Sequence, residues 1–222
     1  MVSASPSTPI ADATQELSLT DRLRQDIVTG NLVPHQRLIE SDVAEEHRAS
    51  RGEVRLALNE LITEGLVERI PNRGARIRKV SLEEAIEITE VRGAVESLCA
   101  GKAAEKLNDE QAVELRDIGE AMQGAVERGA RDEYSSLNRS LHTLIIKIAD
   151  QQTAAQTISK LRGQAIRYHF QLSAQPDRPQ VSLPQHLAII DAICSRDPHA
   201  AAAAMQEHLD SVIEAIAASR EA

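Results

Sequence analysis

Two arginines four residues apart, Arg51 and Arg55, stand in the segment SRGEVRLALNEL at residues 50–61. If this segment is a helix, the two guanidinium groups project from one face, one turn apart. The planar guanidinium fork matches the O6 and N7 atoms of guanine in the major groove of DNA, so the pair could contact bases. The alternative is an exposed helix on which the arginines pair with Glu53 or Asn59.

Three histidines, His142, His186 and His208, form the second candidate for chemistry, and they fall on three separate predicted helices. Asn138 precedes His142 by one helical turn. Imidazoles from three helices that converge in a bundle core make a site for a divalent metal of the zinc or nickel type. Alternatively, each histidine is a hydrogen-bonded core residue. The spacing alone leaves both interpretations open.

The charge of the chain is unevenly distributed along its length. The net charge is −9, yet residues 16–79 hold eleven basic and eleven acidic side chains, whereas residues 81–222 hold fourteen basic and twenty-two acidic ones. Within the first part, the run ERIPNRGARIRKV has no acidic residue after Glu68. Binding to a polyanion is therefore expected from the first part of the chain and not from the second.

The first eighty residues predict three helices followed by a hairpin. The first helix, with Leu and Ile on one face, closes at Gly30, and a short helix follows at 40–46 with Ser41 as its candidate cap. Ser50 caps the third helix, whose apolar positions include Leu56. In the intervening turn, Arg48 stands where the chain bends sharply, which predicts a left-handed backbone or a modified turn.

Two β-prone runs, GLVERI and ARIRKV, flank the turn PNRG and predict a two-stranded hairpin. Three helices and a hairpin in this order outline a winged helix-turn-helix.

The remainder of the chain carries only helical signals. Ser81 and Glu84 form a capping box, and Asp197 with Pro198 marks the start of the last helix. The predicted helices are 82–106, 109–128, 131–149, 152–174, 180–195 and 198–219. The three aromatic residues, Tyr134, Tyr168 and Phe170, leave a core of aliphatic and small side chains, which favours packed helices.

The predicted fold class is therefore mostly α, with an N-terminal winged helix-turn-helix followed by an all-helical bundle. The predicted organisation is a disordered tail at 1–14, a DNA-binding domain at 15–80 and a helical domain at 81–219. No apolar stretch approaches the roughly 18 residues that span a membrane, and the N-terminal residues lack the pattern of a secretory signal. Cys99 and Cys194 are expected to be reduced thiols.

The segment VTGNLVPHQRLIESDVAEEHRASRGEVRLALNELITEGLVERIPNRGARI resembles the N-terminal domain of the GntR family of bacterial transcription regulators. The helical remainder resembles the FadR-type effector domain of that family, known as FCD. The resemblance covers about residues 15 to 217. It implies that the third helix enters the major groove and that the wing touches the DNA backbone or the minor groove. The DNA-contacting residues expected on this basis are Ser50, Arg51, Arg55, Arg73, Gly74 and Arg76.

One winged helix offers a contact area of only roughly 600–1,000 Å², so specific binding requires two copies on a palindromic double-stranded operator. The resemblance also implies a homodimer.

FCD domains commonly hold a metal with an Asp-x-x-x-His pair and two later histidines, and His142, His186 and His208 match these histidines. Asn138 occupies the aspartate position and offers a carbonyl oxygen without negative charge. The expected metal ligands are therefore Asn138, His142, His186 and His208, with zinc as the expected cofactor.

For a small organic or sugar acid as effector, the resemblance points to Arg92 on the first FCD helix. The alternative is that Arg92 makes an ordinary i,i+4 ion pair with Glu96 on the helix. Further candidates for effector binding are Arg139, Arg162 and Arg167.

We therefore expect a cytoplasmic, dimeric, ligand-responsive transcription regulator that acts as a repressor, and not an enzyme. One alternative is a DNA-binding regulator whose helical domain only dimerises around a structural metal. The other is a zinc-dependent hydrolase with Glu207 as general base, but the HExxH spacing is absent and the winged helix would have no role.

Overall fold

The computed structural model describes residues 17–71, 74–173 and 175–218. The predicted tail at 1–14 lies outside them. The N-terminal part begins with helix α1 (Leu19–Thr29), strand β1 (Arg37–Leu38) and helix α2 (Glu40–Glu46). Helix α3 (Arg51–Thr63) and strands β2 (Val67–Ile70) and β3 (Gly74–Ile77) follow. This order confirms the predicted winged helix-turn-helix.

The sheet of this part has three strands in the order β1-β3-β2, all antiparallel, where the sequence predicted a two-stranded hairpin. Strand β1 pairs Arg37 with Arg76 and Leu38 with Ala75. The prediction missed β1 because two residues are too few to show an alternating pattern. The third strand ties the wing to the segment between α1 and α2.

Most of the helix ends have the capping residues that the sequence predicts. Gly30 ends α1 with φ 90°, and Ser50 caps α3 in a capping box with Glu53. Arg48 has φ 51°, so the turn before α3 does place a non-glycine residue in the left-handed region. The Ser41 cap is wrong: α2 begins at Glu40 after Ile39, and Ser41 bonds the carboxylate of Asp42.

Helix α3 buries one face, formed by Val54, Ala57, Leu58 and Leu61, against α1 and the sheet. Leu56 was counted among the apolar positions of this helix, but it is 60% exposed. It falls on the opposite face of the helix because the buried positions recur at intervals of three and four residues.

The C-terminal part consists of seven helices within the described residues, where six were predicted. They are α4 (Leu82–Lys106), α5 (Asp109–Glu127), α6 (Arg131–Ala149), α7 (Gln152–Gln164), α8 (Ile166–Ser173), α9 (Arg178–Cys194) and α10 (Pro198–Ala218). The single helix predicted at 152–174 is divided at Ala165. The break allows Ile166 to pack against the core of the N-terminal part, a tertiary contact that local sequence does not reveal.

Helix α4 is the central element of the bundle and packs on α10, α6, α7 and α9. Its small residues Ala100, Gly101, Ala103 and Ala104 permit close approach. A Cβ atom on Gly101 would lie 3.1 Å from the carbonyl oxygen of Pro198 at the start of α10. Because α4 is enclosed on several sides, its polar residues Arg92 and Glu96 are also buried.

Both cysteines are free thiols, Cys99 buried and Cys194 half-buried. Over the described residues, none of the helices combines the length and the apolar character needed to cross a bilayer.

Candidate metal centre and DNA-contacting face

The three histidines singled out in the sequence converge inside the helical bundle. His142 lies on α6, His186 on α9 and His208 on α10, and each is at least nine-tenths buried. One ligand atom from each ring can be chosen so that all three atoms lie within 4.8 Å of one another. Three imidazoles grouped in this way form a set of nitrogen ligands for a divalent metal.

Two of the rings present Nδ1 to a neighbouring acceptor. Nδ1 of His142 lies 3.0 Å from Oε2 of Glu96, and Nδ1 of His208 lies 3.1 Å from Oε1 of Gln185. Since both partners accept, each Nδ1 carries the proton and donates. The lone pair of Nε2 is therefore available to a metal in both rings.

The same assignment follows for His186 from a chain of hydroxyl groups. Ser182 donates its proton to the carbonyl oxygen of Arg178, so the hydroxyl of Tyr134, 2.7 Å away, must donate to Ser182. The Tyr134 oxygen then accepts from Nδ1 of His186 at 3.0 Å. Nε2 of His186 is left with a lone pair, and this buried atom has no hydrogen-bond partner.

Asn138 lies one turn before His142 on α6, and its Oδ1 is also buried without a hydrogen-bond partner. A buried carbonyl oxygen without a donor is costly unless a cation or water satisfies it. Together with the unpaired Nε2 of His186, it shows that the residues present fit a bound divalent metal. The donors would be three neutral nitrogens and one neutral oxygen.

Burial keeps the three imidazoles neutral. It lowers the pKa of His142, although the hydrogen bond and charge of Glu96 oppose this, and it lowers the pKa of His186 and His208 well below 6.5. Neutral imidazole is the form that binds metal, so all three rings are in the metal-binding form at neutral pH.

In the metal-free protein, acidification below about pH 6.5 should reduce stability, because the unfolded chain takes up protons at His186 and His208 while the folded protein does not. Each histidine contributes up to about 1.4 kcal/mol per pH unit. Urea unfolding in EDTA between about pH 7.5 and 5.5 measures the slope. The His208→Gln variant should show a shallower slope, and an unchanged slope would contradict the assignment of a depressed pKa to His208.

Glu96 connects the histidines to two arginines. Its carboxylate is 1% exposed, bonds Arg92 at 2.8 and 3.0 Å, and pairs with Arg162 at 2.8 Å. Burial alone would raise the pKa of this carboxyl, but Arg92, Arg162 and the bond from His142 hold it well below 4.5. One negative charge faces two positive ones, so the surroundings of His142 carry an excess positive charge.

The four arginines predicted to bind an effector lie in different places. Arg92 and Arg162 meet at Glu96 beside the histidines, so the Arg92–Glu96 pair exists but is buried and not a surface pair. Arg139 is exposed on α6. Arg167 donates to the carbonyl oxygen of Leu32 in the N-terminal part. The structure therefore brings together two of the four.

Sequence reasoning missed the residues that hold the histidine rings, namely Tyr134, Ser182 and Gln185, and it missed Arg178. Arg178 lies two turns before His186 on α9, donates to Ser211 on α10, and has a buried Nη2 without a partner. Its charge contributes to the lowered pKa of His186 and His208. A cavity of about 140 Å³ adjoins Tyr134. The spacing of Arg178, Ser182 and His186 by four residues was the available signal.

The second candidate surface is the exposed face of α3. Arg51 and Arg55 are both exposed, and Nε of Arg55 lies 2.9 Å from Oε2 of Glu40 on α2. Leu56 is exposed beside Arg55. Neither Glu53 nor Asn59, the partners considered from sequence, bonds these arginines: Glu53 caps the helix with Ser50, and Asn59 bonds Arg69.

The wing carries the remaining predicted DNA contacts. Arg76 pairs with Glu68 across the hairpin at 2.6 Å. Gly74 has φ 88°, and a Cβ there would lie 3.2 Å from the carbonyl oxygen of Leu38, so the close approach is to β1. Arg73 lies outside the described residues. Ser50 is exposed at the start of α3, where its hydroxyl accepts from the amide of Glu53.

Comparison with known proteins identifies two matching regions. Residues 15–77 match the bacterial regulatory proteins of the gntR family, and residues 87–211 match the FCD domain. The chain is similar to the HTH-type transcriptional repressor RspR of Escherichia coli strain K12, with 31% identity over 194 residues, 87% of this chain and 85% of that protein.

The HTH-type transcriptional repressor GlaR of the same strain is 25% identical over 203 residues, which cover 84% of this chain and 89% of that protein. Among solved structures, E. coli McbR/YncC superposes with a TM-score of 0.74 at 22% identity, covering 92% of this chain and 100% of that one. At this identity the likeness supports the fold.

Proposed function

Since the chain belongs to the GntR family of bacterial transcription regulators with an FCD domain, we propose that it is a metal-dependent repressor controlled by a small carboxylate. It is a DNA-binding regulator and not an enzyme. FCD domains often bind a metal ion. The observation that carries the proposal is the convergence of three neutral, buried imidazoles whose Nδ1 atoms are all engaged elsewhere.

For DNA recognition, we propose that Arg51 and Arg55 contact base edges in the major groove while Ser50 and the start of α3 face a phosphate. Arg73, Gly74 and Arg76 would place the wing on the backbone. Arg55 must exchange its bond to Glu40 for DNA. This exchange is inexpensive, because the side chains of Arg55 and Glu40 are 68% and 39% exposed.

GntR-family regulators typically act as dimers, and we propose that this chain forms a homodimer on a palindromic operator. Val91 and Leu98, each 51% exposed, lie seven residues apart on α4 and therefore share one face. Such an apolar stripe on the central helix suits contact with a second copy. We place the protein in the cytoplasm, where a regulator meets DNA.

The metal would be held by His142, His186 and His208 with Asn138 as the oxygen donor, and zinc suits this set of ligands. Bound there, the ion would supply a Lewis-acidic position for an anionic oxygen. Because none of the four ligands is charged, the complex keeps its full positive charge, and a carboxylate can bind it without competing against a protein carboxylate.

Several residues would favour a small organic acid or sugar acid over a neutral effector. Arg92 and Arg162 outweigh the charge of Glu96, and Arg178 offers a buried guanidinium nitrogen without a partner. The cavity of about 140 Å³ is lined in part by Tyr134, the residue whose hydroxyl accepts from His186. Arg139 and Arg167 would act outside this pocket.

Zinc content per chain tests the metal site. We expect about one Zn²⁺ for each chain of the untagged protein. The His142→Ala and His208→Ala variants should lose it, because each removes one of three nitrogen ligands. The matched control is His199→Ala, since His199 is exposed at the start of α10 and should leave zinc content unchanged. Equal zinc in all four proteins would contradict the assignment.

A helical domain that only dimerises around a structural metal is the second candidate, and the burial of all three rings favours it. Operator binding in the presence of candidate carboxylates separates the two. A repressor with a responsive FCD domain changes its affinity with effector, whereas a structural metal leaves it constant.

A further inference from the structure

We propose that Arg162 is a positioning residue that transmits occupancy of the three-histidine site to the DNA-binding domain of the same chain. The inference rests on the proposed function, because it requires a metal or metal-bound ligand at the histidines. It is carried by a short stretch of chain, residues 162–168, that contacts the histidine site at one end and the winged helix at the other. We call this stretch the α7–α8 link.

The first end of the link is anchored on the carboxylate that holds His142. Nη2 of Arg162 lies 2.8 Å and Nε 3.3 Å from the oxygens of Glu96, while Oε2 of Glu96 accepts from Nδ1 of His142. Oε2 is thus shared by Arg162 and His142. Any rotation of the His142 ring on binding a metal changes the position of this oxygen and with it the position of Arg162.

The next two residues touch the end of the DNA-contacting helix. A Cβ on Gly163 would lie 3.1 Å from the carbonyl oxygen of Glu64, so the backbones of α7 and the α3 terminus are in close approach. Gln164 packs over Gly65, where a Cβ would lie 2.7 Å from its side chain. Gly65 itself has φ 76°. The two segments are tightly packed at this contact, because the space that a side chain on Gly163 or Gly65 would need is already occupied.

The second end of the link is fixed in the N-terminal part. Ile166 packs against the core formed by α1, α3 and the sheet. Arg167 donates to the carbonyl oxygen of Leu32, and Tyr168 donates to that of Val80. Because of these contacts, a displacement of the α7–α8 link also displaces the winged helix. A cavity of about 210 Å³ beside Gln164, Arg167 and Tyr168 leaves room for such a shift.

Arg162, which contacts Glu96, and Tyr168, which makes the last contact with the N-terminal part, are thus six positions apart in the chain. Because α3 carries Arg51 and Arg55 at its other end, a shift transferred to Glu64 changes the placement of the DNA-contacting face. In a dimer, small changes in that placement alter the spacing of the two recognition helices, to which operator affinity is sensitive. This gives the coupling a physical route between two defined sites.

Hydrogen–deuterium exchange of the full-length protein with and without Zn²⁺ tests the inference without a known operator or effector. In the wild type, Zn²⁺ should slow exchange severalfold around the three histidines, in residues 160–168, and in residues 29–34 and 62–68. In Arg162→Gln, Zn²⁺ should still bind and protect the histidine segments, but the change in 29–34 and 62–68 should be lost. Arg92 continues to neutralise Glu96 in this variant, so the fold is retained.

Gly163→Ala tests the far side of the link. Its added methyl group meets the Glu64 carbonyl, so it should also abolish the change in 62–68 while leaving Zn²⁺ affinity at the wild-type value. Arg116→Gln, at an exposed arginine on α5 that has no part in the proposed sites, is the control and should behave as the wild type. The variant pair thus separates transmission from metal binding.

The inference is overturned if Arg162→Gln and Gly163→Ala transmit the Zn²⁺ effect as the wild type does. It is also overturned if wild-type protection stays at the histidines. In both results the metal site of the proposed function survives. Absence of any Zn²⁺-dependent change around His142 refutes the metal site itself and removes the inference with it.

Discussion

Replacement of Glu96 by glutamine lowers the free energy of unfolding by about 3–5 kcal/mol, the range for removing one partner of a buried ion pair. The side chains of Glu96 and Arg92 are 1% and 7% exposed, and that of Arg162 is 28% exposed. Glutamine preserves the shape but leaves two guanidinium groups facing each other without the intervening negative charge. Urea unfolding at neutral pH, with EDTA present, measures the change.

Glu105→Gln is the matched control, because Glu105 lies on the same helix and pairs with Lys102 at the surface. Its effect should stay within about 0.5 kcal/mol. A loss below about 1 kcal/mol in Glu96→Gln would mean that Arg92 reaches water or another acceptor. The charge imbalance beside the histidines, on which the preference for an anionic effector rests, would then be wrong.

Local sequence rules predicted those parts of the fold whose determinants are close in the chain. The bounds of α4 and α6 and the caps at Ser50, Ser81 and Asp197 depend on side chains within one turn of the helix end. The division of α7 from α8 and the pairing of β1 with β3 depend on partners far away in sequence. These were missed because periodicity reports which face is apolar and not what it meets.

The candidate metal site was also predicted only in part from the sequence. The three histidines were singled out because they fall on three predicted helices, but only the family resemblance favoured a metal site over core residues, since residues 142, 186 and 208 have no spacing that marks such a site. The hydrogen bonds that orient their rings, to Glu96 and Tyr134, were missed, because a bond across 46 or 52 residues leaves no local pattern. Arg92 and Glu96 were recognised as an i,i+4 pair, but their burial arises only from the enclosure of α4.

Alanine at Arg51 or Arg55 weakens binding to a DNA duplex selected by the wild-type protein from random sequence by about 1–3 kcal/mol for each lost bidentate base contact. In a homodimer the substitution acts in both half-sites, so the loss doubles to about 2–6 kcal/mol. Stability should hardly change, because both side chains are exposed. Titrations by fluorescence anisotropy at one fixed salt concentration measure the affinities.

The control for these variants is Arg116→Ala, which removes an equal charge from an exposed position on α5 in the helical domain. It should leave the affinity unchanged, since α5 packs on α6 and α9 within the helical domain. Binding to unselected DNA distinguishes two roles for Arg51 and Arg55. Base contact predicts that the selected duplex loses much more affinity than random DNA, with relaxed preference at one base pair. An equal loss on both, with a smaller salt dependence, would assign the two arginines to phosphates and leave the base contacts to other residues of α3.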